Sequence, residues 1–332
     1  MKTLNIVQQE YKMLDVMKFV MAIIVVAVHT RPELSFKSTF IRELFEALYS
    51  IAVPFFFMAS GFLLFRKIEL PLNKDGEVRI KSYLKRMCKL YLVWTIIYLP
   101  LTIYGFYLDG IPVLKAIVVF LRNVLLVGEN FMSWPLWYLL ALIVAVGIIY
   151  ALLKVKVPVK WIVIFSIIMA IIGVALDYCK ETSLLNPITE IYFSIFLKTR
   201  NGFFVGFLFV ALGMLCSCLE NIFPVIIPIL LMMGVLGIIY NIPLSNTFVV
   251  LSIFIVAISL RSENIKSRYS SNLRMMSSII YFIHMIFMAL LVILLRFSKG
   301  LPLFIFVLLL SVAMGCILMH YRNSRMFKQC FS

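Results

Sequence analysis

The sequence predicts an all-α integral membrane protein with about ten transmembrane helices. Three observations carry that expectation. The chain of 332 residues is 63% hydrophobic, with a mean hydropathy of +1.06. Only 14% of its residues are charged, against about 25% in a soluble domain. Apolar stretches recur along the whole length, and basic residues collect in the connections between them. No polar stretch is long enough for a large soluble domain, so residues 1–332 read as a single polytopic membrane domain. The longest polar stretch, 66–86, is expected to be a loop.

A spanning helix needs about 20 predominantly apolar residues. Ten segments approach that length: 14–30, 44–65, 83–104, 135–153, 161–176, 202–218, 222–240, 246–260, 276–295 and 302–320. Segment 113–128 carries Lys115 and Arg122, and 188–198 is short and carries Glu190 and Lys198. These two read as interfacial or re-entrant helices. Residues 19–28 have the length of a signal-peptide core. They run into His29-Thr30-Arg31-Pro32-Glu33 with no small-residue cleavage pattern, so an uncleaved first helix is expected.

The first segment holds Asp15, Lys18 and His29. At 100° and 1.5 Å per residue, Lys18 and His29 fall within about 20° of one face, roughly 16 Å apart along the axis. Ionisable groups inside a membrane face a bundle interior or an aqueous cavity, and they mark functional sites. The bland alternatives are that Lys18 snorkels to the headgroups, that Asp15 pairs with it at i, i+3, and that His29 idles at the far interface.

Charge sets the expected orientation. With the N-terminus in the cytoplasm, 21 of the 31 Lys and Arg fall on the cytoplasmic side of a ten-span topology, as the positive-inside rule requires. Both termini are then cytoplasmic, in a multi-pass cell (plasma or inner) membrane protein. Lys18 lies near the inner face and His29 toward the outer face. The net charge of +16 would suggest nucleic acid in a soluble protein. Here it points to anionic membrane lipid instead, and no nucleic-acid partner is expected.

Further motifs follow in order. Val53-Pro54-Phe55-Phe56-Phe57-Met58-Ala59-Ser60-Gly61-Phe62 frees a carbonyl at Pro54 and allows close approach of a helix or ligand at Ser60-Gly61. Lys81, Lys85 and Lys89 share a helix face with Arg86 beside them. They read as a lipid-binding helix start or as a dock for the phosphates of a cytosolic donor. Trp134-Pro135-Leu136-Trp137-Tyr138-Leu139 has the composition of an interfacial aromatic belt. Arg200 opens the sixth segment on the outer side, where it can meet a polar substrate. His284, in Tyr281-Phe282-Ile283-His284, lies roughly 12 Å inside the ninth segment. His320 sits at an interface. The six cysteines are scattered, and Cys216 and Cys218 have no histidine nearby in sequence, so a metal site is not expected.

Together these pieces resemble the membrane-bound acyltransferase family 3. The resemblance rests on Leu14-Asp15-Val16-Met17-Lys18 with His29, on Pro54 to Phe62, on Lys85-Arg86, on Trp137-Tyr138-Leu139, and on Tyr281 with His284, in that order. It implies an O-acyltransferase that uses cytosolic acyl-CoA, usually acetyl-CoA, as co-substrate with no permanently bound cofactor. The implied acceptor is a hydroxyl of a surface or exported polysaccharide or a lipid-linked glycan precursor. His29 would be the general base or acyl relay, Lys18 would support the donor or the developing charge, and Asp15 would join them in the catalytic set. Lys85, Arg86, Lys89 and Ser60 would face the donor, and Trp137, Arg200, Tyr281 and His284 the acceptor. The chain departs from the pattern shortly after the Trp137-Tyr138-Leu139 motif, where some members carry a glutamate and this sequence has apolar residues.

The chemistry agrees with the residue types. Acyl transfer to a hydroxyl needs a base, which neutral histidine supplies near pH 7, and positive charge near the thioester oxygen or the donor phosphates. No P-loop, H-E-x-x-H or G-x-S-x-G motif is present. The alternative reading is a transporter or export module, with Lys18 and His29 lining its path.

Overall fold

The computed structural model describes residues 11–182, 184, 186–219, 226–260 and 266–331. Among these the regular structure is helical. The first helices are α1 (Lys12–Thr30), α2 (Thr39–Phe65), α3 (Lys74–Leu108) and α4 (Val113–Arg122). Then follow α5 (Leu136–Lys154), α6 (Val159–Glu181), α7 (Asn186–Phe196) and α8 (Phe207–Cys218). The chain continues through α9 (Ile226–Ile239), α10 (Asn246–Ser259), α11 (Ser267–Ala289), α12 (Leu301–His320) and α13 (Arg325–Phe331). Wider π-helical turns follow α4 and α11 and precede α8.

Seven helices among the described residues are long and apolar enough to cross a membrane: α1, α2, α3, α5, α6, α11 with its π turn, and α12. Three more, Gly202–Cys218, Ile226–Ile239 and Asn246–Ser259, are apolar but shorter. All ten expected segments are therefore helical where described; residues 222–225 of the seventh lie outside the described residues. Helices α4 and α7 have 10 and 11 residues, too short to span, as their embedded charges suggested.

The polar stretch 66–86 is not wholly a loop. Helix α3 begins at Lys74 because the Asn73 side chain accepts the Gly76 N–H at 2.7 Å, which satisfies one of the free donors of the first turn. At 35 residues α3 is about 52 Å long, more than the roughly 30 Å hydrocarbon core. Its basic first turns therefore extend beyond the apolar layer. Helix α11 likewise starts at Ser267, upstream of the apolar segment expected from 276.

Two packing relationships position the site. Helix α1 lies along α11 in the same direction: Ser270 donates to the Asp15 carboxylate at 2.6 Å near their starts, and the His29 and His284 rings are 5.4 Å apart near their ends. Helix α2 crosses α8 at very close range. A Cβ on Gly61 would lie 2.3 Å from the Val210 carbonyl oxygen, and one on Gly213 would lie 2.2 Å from that of Met58. Glycine at both points lets backbone meet backbone. Phe55, Phe57, Phe65 and Leu142 fill the buried centre.

Candidate active site

The site forms where α1 ends. His29 is the penultimate residue of α1, whose last residue, Thr30, accepts the Gly300 N–H at 2.9 Å. The Ser35 hydroxyl accepts the Leu301 N–H at 2.8 Å. These bonds bring the start of α12, with Lys299 just before it, to the end of α1. Gly300 has φ +147°, a conformation that an L side chain adopts with strain. On the other side Arg31 pairs with buried Glu33 at 2.6 Å, and Tyr49 donates to the same carboxylate.

His29 is sandwiched. The Trp134 ring stacks against it at 5.7 Å and 26°, and the His284 ring lies 5.4 Å away at 32°. Trp134 is held by its connection: Tyr281 donates to the Pro135 carbonyl at 2.6 Å, and Asn130 N–H donates to Ser133 at 3.0 Å. Lys299 lies over the Trp134 ring, 6.0 Å from its centre. The belt reading misses the contact of Trp134 with His29.

Next to Trp134 opens a cavity of about 340 Å³, whose walls include Phe106, Asn123, Glu129, Asn130, Trp134 and Lys198. Its size is that of a small-molecule pocket. Glu129 pairs with Lys198 at 2.6 Å and with Arg200 at 3.2 Å. Arg200 lies over the Trp137 ring at 4.6 Å. Asn201 anchors this segment by donating to Tyr192 at 2.7 Å, and burial pushes the Tyr192 phenol up to about 12, which keeps it neutral.

Of the expected acceptor-side residues, the structure brings Trp137, Arg200, Tyr281 and His284 to one end of the bundle with His29. Tyr281 lies 6.4 Å from His284 and 5.7 Å from Tyr138. Ser60 is one step further in, its hydroxyl 2.8 Å from that of Tyr138.

The other end is separate. Asp15 is buried, and its ion pair is to Arg274 of α11 at 3.7 Å rather than to Lys18. Lys18, partly buried, lies in the field of both Asp15 and Arg274. Lys85, Arg86 and Lys89 are exposed on α3, with Arg86 stacked 5.4 Å over Tyr83. Sequence reasoning missed Glu129, Lys299 and Arg274. Glu129 was visible only as a charge in a connection, and nothing in the sequence ties Lys299 to His29.

The fold and site define a multi-pass helical membrane protein with an imidazole pair set inside one end of the bundle. The chain belongs to the membrane-bound acyltransferase family 3: the model of its acyltransferase domain matches residues 11–321. The chain is also 31% identical over 209 residues to an amino-acid racemase of Enterococcus faecalis, covering 62% of this chain and 28% of the racemase. It is 30% identical over 211 residues to a serine/alanine racemase of Enterococcus gallinarum, covering 61% and 29%. The chain thus spans less than a third of the length of these relatives. No solved structure matches it.

Proposed function

We propose that this protein is a membrane O-acyltransferase. It moves an acyl group, acetyl in the simplest case, from cytosolic acyl-CoA to a hydroxyl of a surface or exported polysaccharide or glycan precursor. One observation carries the reading: the family's motif histidine, His29, lies against His284 and against Trp134, which lines a cavity.

In this mechanism the acceptor hydroxyl enters beside Trp134 and gives its proton to His29. The hydroxyl oxygen attacks the thioester carbon. The C–O bond forms, the C–S bond breaks, and the proton returns from His29 to the leaving thiolate. Lys18 and Arg274, at the opposite end of the same helix pair, supply positive charge toward the donor. Lys85, Arg86 and Lys89 hold its phosphates by charge-assisted hydrogen bonds.

The shared direction of α1 and α11 supports ten crossings. If only the seven long helices crossed, α11 would be the sixth and would run against α1. Adding the three shorter apolar helices makes it the ninth, parallel to α1. With the N-terminus cytoplasmic, the basic clusters fall inside and His29 faces outward, in the plasma or inner membrane.

The test uses membranes from cells making wild type or His29→Ala, with label in the acetyl group of acetyl-CoA. Wild type is expected to label glycan, with O-acetyl signals in its NMR spectrum. The variant, inserted at equal level, is expected to lose both. Full labelling by the variant would overturn the role of His29.

In a second reading the bundle moves a small polar substrate, and the names of the racemase relatives make an amino acid the first to try. Uptake of labelled serine into vesicles without acyl-CoA consumption would establish it in place of the first.

A further inference from the structure

We propose that His284 is a positioning residue for His29. Its unprotonated Nε2 accepts a hydrogen bond from a ring N–H of His29. That bond fixes which His29 nitrogen carries the proton and which meets the acceptor hydroxyl. The catalytic half of this inference rests on the acyltransferase reading; the structural half stands without it.

The His284 ring is tied to its own helix. Its Nδ1 lies 3.0 Å from the carbonyl oxygen of Ile280, one turn earlier on α11. A carbonyl oxygen only accepts, so Nδ1 carries the proton. In the neutral ring Nε2 is then a lone-pair acceptor. His284 is 0% exposed, and among the described residues its Nε2 has no hydrogen-bond partner. A buried acceptor without a donor is costly unless something approaches it. The polar ring beside it is His29, at 5.4 Å between centroids. Catalytic hydrogen bonds are often long or unmade in the free enzyme and tighten only when substrate is bound.

The consequence for His29 follows from imidazole chemistry. A neutral histidine has one donor nitrogen and one acceptor nitrogen. If the nitrogen facing His284 donates, the other holds the lone pair. That lone pair takes the hydroxyl proton. The imidazolium formed keeps its bond to His284 until it protonates the leaving thiolate. His284 does not change protonation state. It acts as the third member of a triad does, by orienting the base. The other titratable or charged groups at this end are Tyr281, the cations Arg200 and Lys299, which act on His29, and the ion-paired groups Arg31–Glu33 and Lys198–Glu129–Arg200. Arg200 and Lys299 have no lone pair to offer a His29 N–H, and the carboxylates of Glu33 and Glu129 are engaged by their own cations. Tyr281 turns its hydroxyl to the Pro135 carbonyl, and its ring is 6.4 Å from that of His284.

The chain has three histidines, which makes the test direct. The full-length protein, labelled with ¹⁵N-histidine and held in lipid nanodiscs, gives three imidazole spin systems, assigned with single His→Gln variants. At pH 7 His284 is expected to carry its proton on Nδ1, and His29 is expected to occupy one tautomer. His284→Gln places a carbonyl oxygen near the Nε2 position and is expected to preserve that tautomer. His284→Leu is expected to leave His29 in a mixture of two. A proton on Nε2 of His284, or an unchanged His29 in the leucine variant, overturns the proposal. In acyl-transfer assays His284→Leu is expected to lower kcat about a hundredfold with the acyl-CoA KM little changed, and His284→Gln to recover much of it. Equal losses in the two variants also overturn it. If wild type transfers no acyl group, the function reading fails while the tautomer measurement still decides the pair. Both variants are compared only where they elute and melt as wild type does.

Discussion

Ser270 of α11 donates a 2.6 Å hydrogen bond to the buried carboxylate of Asp15 on α1, across 255 residues of sequence. His284 follows His29 by the same interval, on the same two helices. Equal intervals at both ends mean that the helices run parallel without slipping in register. The Asp15–Ser270 bond is therefore a latch about 21 Å from the imidazole pair along the helix axis.

Removing the latch tests its reach. Ser270→Ala leaves Asp15 with only the longer contact to Arg274. A buried hydrogen bond to a charged group contributes about 1.5–3 kcal/mol, so the variant is expected to melt several degrees lower. Acyl transfer is expected to fall severalfold, because the two histidines lose their common register. An unchanged melting temperature together with unchanged activity would show that packing alone aligns α1 with α11.

Much of this was legible in the sequence, for physical reasons. Lipid tolerates few structures, so long apolar runs such as 135–153 translate directly into helices. The stripe of Lys18 and His29 followed from helical periodicity alone. What stayed hidden was lateral packing. Trp134 reads as an interfacial residue until α11 fixes its connection through Tyr281. Glu129 gains meaning only from the distant Lys198 and Arg200. The first turns of α3, residues 74–80, were masked because so polar a stretch resembles a loop when hydropathy is the guide.

The α2–α8 crossing gives a second test, with an internal control. A methyl at Gly61 would lie 2.3 Å from the Val210 carbonyl oxygen, a backbone atom that has little freedom to move. Overpacking of this kind costs about 1–3 kcal/mol. Gly61→Ala is expected to lower thermal stability and also activity, because neighbouring Ser60 bonds to Tyr138. Gly147→Ala adds a Cβ that meets nothing within 4 Å. Its melting temperature should hold or rise, since alanine favours helix over glycine by about 1 kcal/mol. If both variants lose stability alike, helix propensity and close packing have been misassigned on α2.

The exposed cations of α3 give the last test, because they distinguish a phosphate dock from a lipid anchor. Lys85, Arg86 and Lys89 stand on the part of α3 that extends past the apolar layer. A lipid anchor would bind any anionic headgroup, so replacing Lys85 and Arg86 by alanine would weaken membrane docking of this helix without regard to the donor. A donor dock recognises phosphate on the CoA itself. The double variant is therefore expected to raise the KM for acetyl-CoA about tenfold at constant kcat, with the protein still inserted. Acetyl-dephospho-CoA, which lacks one phosphate, sharpens the comparison. Wild type should lose affinity for it, whereas the double variant should treat the two donors nearly alike, as expected when a substituent and its binding group are removed together. If wild type and variant discriminate equally between the donors, the cluster serves the membrane, and the donor phosphates are held elsewhere.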